Sequence, residues 1–199
     1  MNFISGFCKL RDFQMITSSE HKSYGNANGE TFVSGLYSDH KIDYPKFYKM
    51  DMQSRLGFLS AEFLFRDVPV KDYPSDSLSV VLSNADGSLD TDLKFDRSCQ
   101  TAASPSLFVY TLSNIVAGEI CIRHGIKGEN AFFISASFDA ELMCSYVDLT
   151  LSQPQTKACL AGWINVVEEQ HDVLVYLVEK RQRGLCFEHT REQISKLYY

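Results

Sequence analysis

Two hydrophobic periods alternate along this chain of 199 residues. Compact apolar runs at residues 2–8, 78–82, 131–134, 158–166 and 172–178 read as strands, and 78–82 suits a central strand buried on both faces. Helical spacing appears over 47–65, where Met52, Leu56, Leu59 and Phe63 form a stripe and Pro69 follows the end. A second helix is predicted from Ser104, with Ser104 as cap and Pro105 in the first turn. Phe108, Leu112, Ile115, Val116 and Ile120 share one of its faces, Arg123 and His124 suit its negative end, and Gly125 stops it. Further helices are predicted from near Phe138 to Leu151 and over 189–199. Residues 31–37 read as a short extra strand, the polar stretch 17–30 as an exposed segment with a turn at Gly25-Asn26-Ala27-Asn28-Gly29, and 83–104 as a loop. Strands alternating with helices predict an α/β layered sheet in one domain spanning 1–199.

The helix after residue 137 stands out. Phe138, Ala140, Leu142, Met143, Cys144, Tyr146, Val147, Leu149 and Leu151 place apolar groups around nearly its whole circumference. Such a helix needs burial on all sides. The final segment offers only Ile194 and Leu197 as aliphatic cover. The pattern therefore predicts a second subunit over this helix, with Met143 and Val147 at the interface.

Composition narrows the partners. A net charge of −6 disfavours nucleic acid and anionic membrane surfaces. No apolar run is long enough to span a bilayer, and residues 1–13 lack the apolar core and cleavage site of a signal peptide. The six cysteines fall mostly in apolar segments and read as reduced, which places the chain in the cytoplasm.

Several motifs in order resemble the N-terminal half of the β-ketoacyl synthases. They are Tyr48-Lys49-Met50-Asp51, Gly87-Ser88-Leu89 with Thr91-Asp92, Ser104-Pro105, Asn114, Ala117-Gly118, the Gly125-Ile126-Lys127-Gly128 turn and Leu160-Ala161-Gly162. The resemblance runs from about Met1 to Lys180 and implies half of a thiolase-like fold: a five-stranded mixed sheet, order 3-2-1-4-5, with helices on both faces. It also implies that strand 131–135 forms an edge pairing with the same strand of a second subunit, so Ala131 and Ile134 join Met143 and Val147 as interface candidates. Phe132, Phe133 and Phe138 become candidate walls or gates of an acyl tunnel, with ordinary core packing as the alternative.

Counting from Gly128, the family's reactive cysteine falls at residue 137, which here is serine. The family's second half, with its two catalytic histidines, has no room in this length. The expectation is a non-catalytic, chain-length-factor-like subunit that partners a full-length ketosynthase in polyketide, aryl-polyene-like or fatty-acid-related synthesis. Two other readings stay open: a serine acyltransferase or thioesterase using Ser137, and a homodimeric scaffold that binds acyl carrier protein. Serine needs a positioned base to act as a nucleophile. Asp139 and Glu141 beside it oppose a developing oxyanion.

No cofactor or metal is expected. Cys121-x-x-His124 and Cys186-x-x-His189 suggest four zinc ligands, yet a helix end and core packing account for them equally well. Asp86, Asp90 and Asp92 alternate like a calcium loop but lack its glycine and closing glutamate, and read as a solvated loop. Trp163 is expected to pack in or beside a strand.

Overall fold

A computed structural model describes residues 1–25, 27–168 and 170–199; Asn26, in the turn expected at 25–29, lies outside the described residues. The chain begins with β1 (Phe3–Arg11), β2 (Gln14–Thr17) and β3 (His21–Ser23), then α1 (Gly29–Asp39) and α2 (Met52–Asp67). Next come β4 (Leu78–Asn84), α3 (Leu89–Cys99), α4 (Pro105–Val109), α5 (Ile115–His124), β5 (Asn130–Ile134) and α6 (Ala140–Ser152). The hairpin β6 (Ala158–Val167) and β7 (Gln170–Glu179), the short β8 (Phe187–Glu188) and α7 (Arg191–Tyr198) complete it.

One mixed sheet of eight strands runs β3-β2-β1-β7-β6-β4-β5, with β8 paired to β1. The expected five strands are β1, β4, β5, β6 and β7, and the additions are local. Asp12 and Phe13 both take positive φ, 51° and 55°, which closes a two-residue turn and folds β2 back on β1. The expected order 3-2-1-4-5 is corrected: numbered along the chain, the five long strands lie 3-2-4-5-1. The β6–β7 hairpin pairs along its full length, and β1 adds antiparallel to the free side of β7. β4 pairs parallel to both β5 and β6, so β5 does form the edge.

Helices cover both faces. Leu56, Leu59 and Leu64 of α2 and Val116 and Ile120 of α5 pack with Val80, Leu82 and Val175 on one side. Met143, Val147 and Leu151 of α6 and Ile194 of α7 pack with Val81, Ala161, Trp163 and Tyr176 on the other.

Three local expectations change. Residues 31–37 are helical, because the Asn28 side chain accepts from Thr31 N while the Thr31 hydroxyl accepts from Asn28 N, closing a capping box. The expected loop 83–104 contains α3, whose acidic first turn and Lys94–Asp90 pair at 2.7 Å supply helix-forming charge in place of an apolar stripe. The single helix expected from Ser104 to His124 breaks at 110–114. Tyr110 turns inward there, and its hydroxyl donates to Glu119 at 3.0 Å. Phe108 and Leu112 are thereby left 61% and 60% exposed. Gly125 ends α5 with φ 67°, as expected.

The expectation for α6 is also corrected. Met143 and Val147 are fully buried against the sheet of the same chain and cannot form a subunit interface. The outer face carries Glu141, Ser145, Asp148 and Ser152, with Leu149 its one exposed large apolar side chain. The C-terminal helix covers more than its two aliphatics suggest, because aromatic and cationic groups hold it. Tyr198 stacks on Phe138 with ring centres 4.2 Å apart. Arg11 sits 4.6 Å over the Tyr198 ring, and Lys9 Nζ donates to Tyr198 O at 2.6 Å.

Met143→Asp is therefore expected to unfold the protein, since an unpaired carboxylate there has no water to solvate it. Leu149→Asp is expected to shift stability by no more than about 0.5 kcal/mol. Urea unfolding of both variants checks the contrast, and similar midpoints would refute it.

Candidate active site at the strand-to-helix junction

β5 delivers the chain to the junction, where Ser135 N donates to Asn84 O at 2.9 Å and continues the β4 register. Ser137 follows, exposed. The helix starts later than the sequence suggests: Asp139 is its cap and accepts from Glu141 N at 3.0 Å and Leu142 N at 2.9 Å. These are the N–H groups that an oxyanion at this end would need, and a carboxylate already takes them.

Ser137 borders a depression of about 520 Å³ shared with Glu141, Arg191 and Tyr199. Arg191 is tied to Glu141 at 2.7 Å. Among the described residues, nothing hydrogen-bonds to the Ser137 hydroxyl, and no histidine, cysteine or lysine lines the depression.

The five histidines all lie elsewhere. His21 contacts Gln14, and His40 packs on Phe63. His124 lies edge-on to Phe65 and 3.4 Å from Glu62, His171 stacks on Phe32, and His189 contacts Asp148 at 2.9 Å. The structure brings no histidine to Ser137, and the carboxylates in its depression are engaged, Asp139 with the helix N–H groups and Glu141 with Arg191.

The three phenylalanines expected as tunnel walls or gates divide between the sheet faces, Phe132 on one and Phe133 and Phe138 on the other. Phe132 and Phe133 point to opposite sheet faces, as successive strand residues must. Phe132 packs into the α2/α5 core, and Phe133 meets Tyr146 edge-on at 4.8 Å. Phe138 is buried between Trp163 and Tyr198. Trp163 sits within β6, its indole N–H without a partner among the described residues. The four suggested zinc ligands separate too. Cys121 joins the α2/α5 side and His124 packs on Phe65 of α2, while Cys186 is exposed and His189 packs beside α6. Asp86, Asp90 and Asp92 bond to Asn165, Lys94 and Ser88 respectively and do not converge.

Sequence reasoning missed the polar scaffold behind the junction. Buried Asn84 donates to Gln53 at 3.1 Å and to Gly87 O at 2.7 Å, and accepts from Gly87 N at 3.0 Å. Asn165 accepts from Ala85 N and Asp86 N, fixing the loop after β4. That loop touches the sheet edge: a Cβ on Gly87, whose φ is +61°, would lie 3.9 Å from Ile134 Cδ1. Ile134 is 58% exposed, and exposed Leu89, Leu93, Phe108 and Leu112 lie on the α3 and α4 segments that follow this loop.

No protein-family model and no curated protein matches the chain. Solved structures do match. The ishigamide ketosynthase/chain length factor aligns with a TM-score of 0.66 at 16% identity, over 93% of this chain and 63% of that one. The fold is that of the ketosynthases and chain length factors. A ketosynthase in complex with its chain length factor from Xenorhabdus doucetiae gives 0.53 at 14% identity, over 92% and 77%. A type II polyketide synthase acyl-carrier protein in complex with its ketosynthase bound to the hexaketide gives 0.61 at 10% identity, over 90% and 63%. The chain thus spans less than two thirds of the length of two of these ketosynthase-like structures. Among the described residues, no helix is long and apolar enough to cross a membrane.

Burial lowers the His124 pKa to about 4, despite the neighbouring Glu62 carboxylate, and burial also lowers that of His40. Both take up a proton more readily in the unfolded chain, so stability is lost as pH falls below the unfolded value near 6.5. His124 alone is expected to cost roughly 2 kcal/mol between pH 7 and pH 5. Urea midpoints at the two pH values, for wild type and His124→Gln, measure this. A wild type equally stable at both would contradict it.

Proposed function

We propose that this chain is a non-catalytic, chain-length-factor-like subunit that completes a dimer with an active β-ketoacyl synthase. The observation that carries the reading is at Ser137, where the resemblance puts the nucleophile: an exposed serine stands there with no histidine, cysteine or lysine lining its depression and a capped helix end beside it. Condensation needs a thiolate to hold the acyl chain and histidines to assist decarboxylation, so the partner supplies both. The same geometry weighs against the serine acyltransferase and thioesterase readings, because the carboxylates near Ser137 are taken up by the helix cap and by Arg191.

The open edge of β5 supports dimer formation. An unpaired edge strand is a template for another strand, and apolar Ile134 with the α3–α4 surface extends it. The contact replaces the one expected at Met143 and Val147. A homodimer through the same edge is the alternative, serving as an acyl-carrier-protein scaffold. Polyketide or aryl-polyene-like chains on carrier protein are the proposed substrates of the assembled pair.

The purified protein is expected to show no chain extension with malonyl- and acyl-loaded carrier protein, and Ser137→Cys is expected to remain inactive. Extension by a synthase-free preparation overturns the reading. Light scattering after mixing with a co-encoded ketosynthase is expected to give a one-to-one complex, whereas a homodimer that ignores the ketosynthase supports the scaffold.

Ile134→Asp is expected to weaken the dimer at least about tenfold, some 1.4 kcal/mol, with the urea midpoint unchanged. Sedimentation equilibrium reads the first and denaturation the second. An unaltered dimer would place the interface elsewhere.

A further inference from the structure

Among the described residues outside the junction, one group of side chains brings together three different metal-ligating chemistries. Cys144 and Asp148 lie one turn apart on α6, and His189 arrives from the segment that caps α7. The Cys144 Sγ, an Asp148 carboxylate oxygen and a His189 ring nitrogen all lie within 4.8 Å of one another. His189 Nδ1 is 2.9 Å from Asp148 Oδ1, and Cys144 Sγ is 4.0 Å from Asp148 Oδ2. We propose that Cys144, Asp148 and His189 form a binding site for one zinc ion or a similar borderline divalent transition metal, with water completing the coordination. The inference is independent of the ketosynthase-like reading.

The dimensions suit the ion. Zinc holds sulfur at about 2.3 Å and nitrogen or oxygen at about 2.0–2.2 Å in a tetrahedron. Ligand atoms on one such ion therefore sit roughly 3.3–3.6 Å apart. The present separations, from 2.9 Å to no more than 4.8 Å, bracket that range, so side-chain movements of about 1 Å or less in Cys144, Asp148 and His189 close the site. The donor set, thiolate with imidazole and carboxylate, favours zinc over the oxygen-seeking calcium and magnesium.

A structural role alone explains less. The His189–Asp148 pair ties α7 to α6, and Asn2 Nδ2 adds a bond to Asp148 Oδ1 at 2.8 Å. Neither needs a thiol, and the contacts of Cys144 to Asp148 and to His189 O, 4.0 and 3.9 Å, are long for hydrogen bonds. The imidazole side chain is fully enclosed, and its Nε2 has no partner among the described residues. Metal-binding histidines donate their second ring N–H to a further group. The Tyr176 hydroxyl is likewise buried without a partner, with its ring centre 6.2 Å from the imidazole, and is suited to that role. Binding exchanges the Cys144 S–H bond for a metal–sulfur bond and releases that proton to solvent. The Nδ1 proton of His189 moves to Nε2. Asp148 stays half-exposed, which leaves the water position open.

Cobalt(II) titration of the reduced full chain tests this, because thiolate ligation gives a charge-transfer absorption and tetrahedral geometry gives intense visible bands. One cobalt per chain is expected, displaced by zinc, with the thiolate band absent in Cys144→Ser. Asp148→Asn is expected to weaken binding at least about tenfold. A variant lacking the exposed cysteines, Cys99→Ser with Cys186→Ser, is expected to keep the band.

A second measurement needs no variant. Zinc is expected to slow alkylation of Cys144 in the wild type at least about tenfold, leaving Cys99 and Cys186 unaffected. No thiolate band at saturating cobalt, a band that survives Cys144→Ser, unchanged binding by Asp148→Asn, a band lost with Cys99 and Cys186, or unprotected Cys144 would each overturn the site.

Discussion

The rest of the structure depends on the pairing of β4 with a parallel neighbour on each side. All seven of its residues are buried, so its backbone must be fully paired along both edges, and Val80, Val81 and Leu82 put apolar groups on both faces. Val80 and Leu82 serve the α2/α5 core and Val81 serves the α6/α7 core. Its neighbours enter in register because the loops before them bond to its approach: Lys127 N to Ser75 O, Gly128 N to Leu78 O, and Lys157 N to Ser77 O. Gly128 is required at that contact, since a Cβ would lie 2.1 Å from Leu78 O. At the other end, Asn84 organises the next loop while its carbonyl receives Ser135 N. The position of Ser137 therefore follows from the β4 ladder.

That dependence explains what could be read from the residues. β4, β6 and β7 were legible because strands buried on both faces are continuous apolar runs, and Ser137 could be found by counting from a turn that β4 itself fixes. The α1 segment was not, because seven residues with scattered apolar groups fit either period and the deciding feature is the reciprocal Asn28–Thr31 cap. α3 was hidden because charge pairs stabilise it. The break before α5 was hidden because apolar spacing continues across it while Tyr110 leaves the helix to reach Glu119. Strand order was beyond local pattern altogether, since nothing within β1 specifies β7 as its partner.

The chemistry-bearing side chains show the same division. Cys186 and His189 look paired by spacing, yet His189 meets Asp148, 41 residues away, because α7 folds back beside α6. Phe132, Phe133 and Phe138 look like one aromatic wall in the sequence, but strand alternation sends Phe132 to one face of the sheet and Phe133, with Phe138, to the other. Contacts made by distant segments leave no periodic trace. They become visible only once the sheet has set which segments meet.

The C-terminal helix decides which surfaces remain for a partner. A helix enclosed between two sheets needs apolar groups on both sides, whereas the outer face of α6 carries Glu141, Ser145, Asp148 and Ser152. α7 supplies the remaining cover by laying Tyr198 on Phe138 and burying Ile194, and Lys9 and Arg11 on β1 hold it there. Large apolar side chains still in water include Ile134 at the sheet edge and Phe108 and Leu112 on the segments after β4, each more than half exposed, with Ile122 and Leu149 elsewhere. Each large apolar side chain removed from water contributes about 1.5–3 kcal/mol, and the outer side of β5 offers backbone groups for pairing beside Ile134. Apolar burial and strand pairing thus coincide at Ile134 on the β5 edge, whereas α6, which meets β5 through Tyr146 and Phe133, turns most of its apolar groups inward.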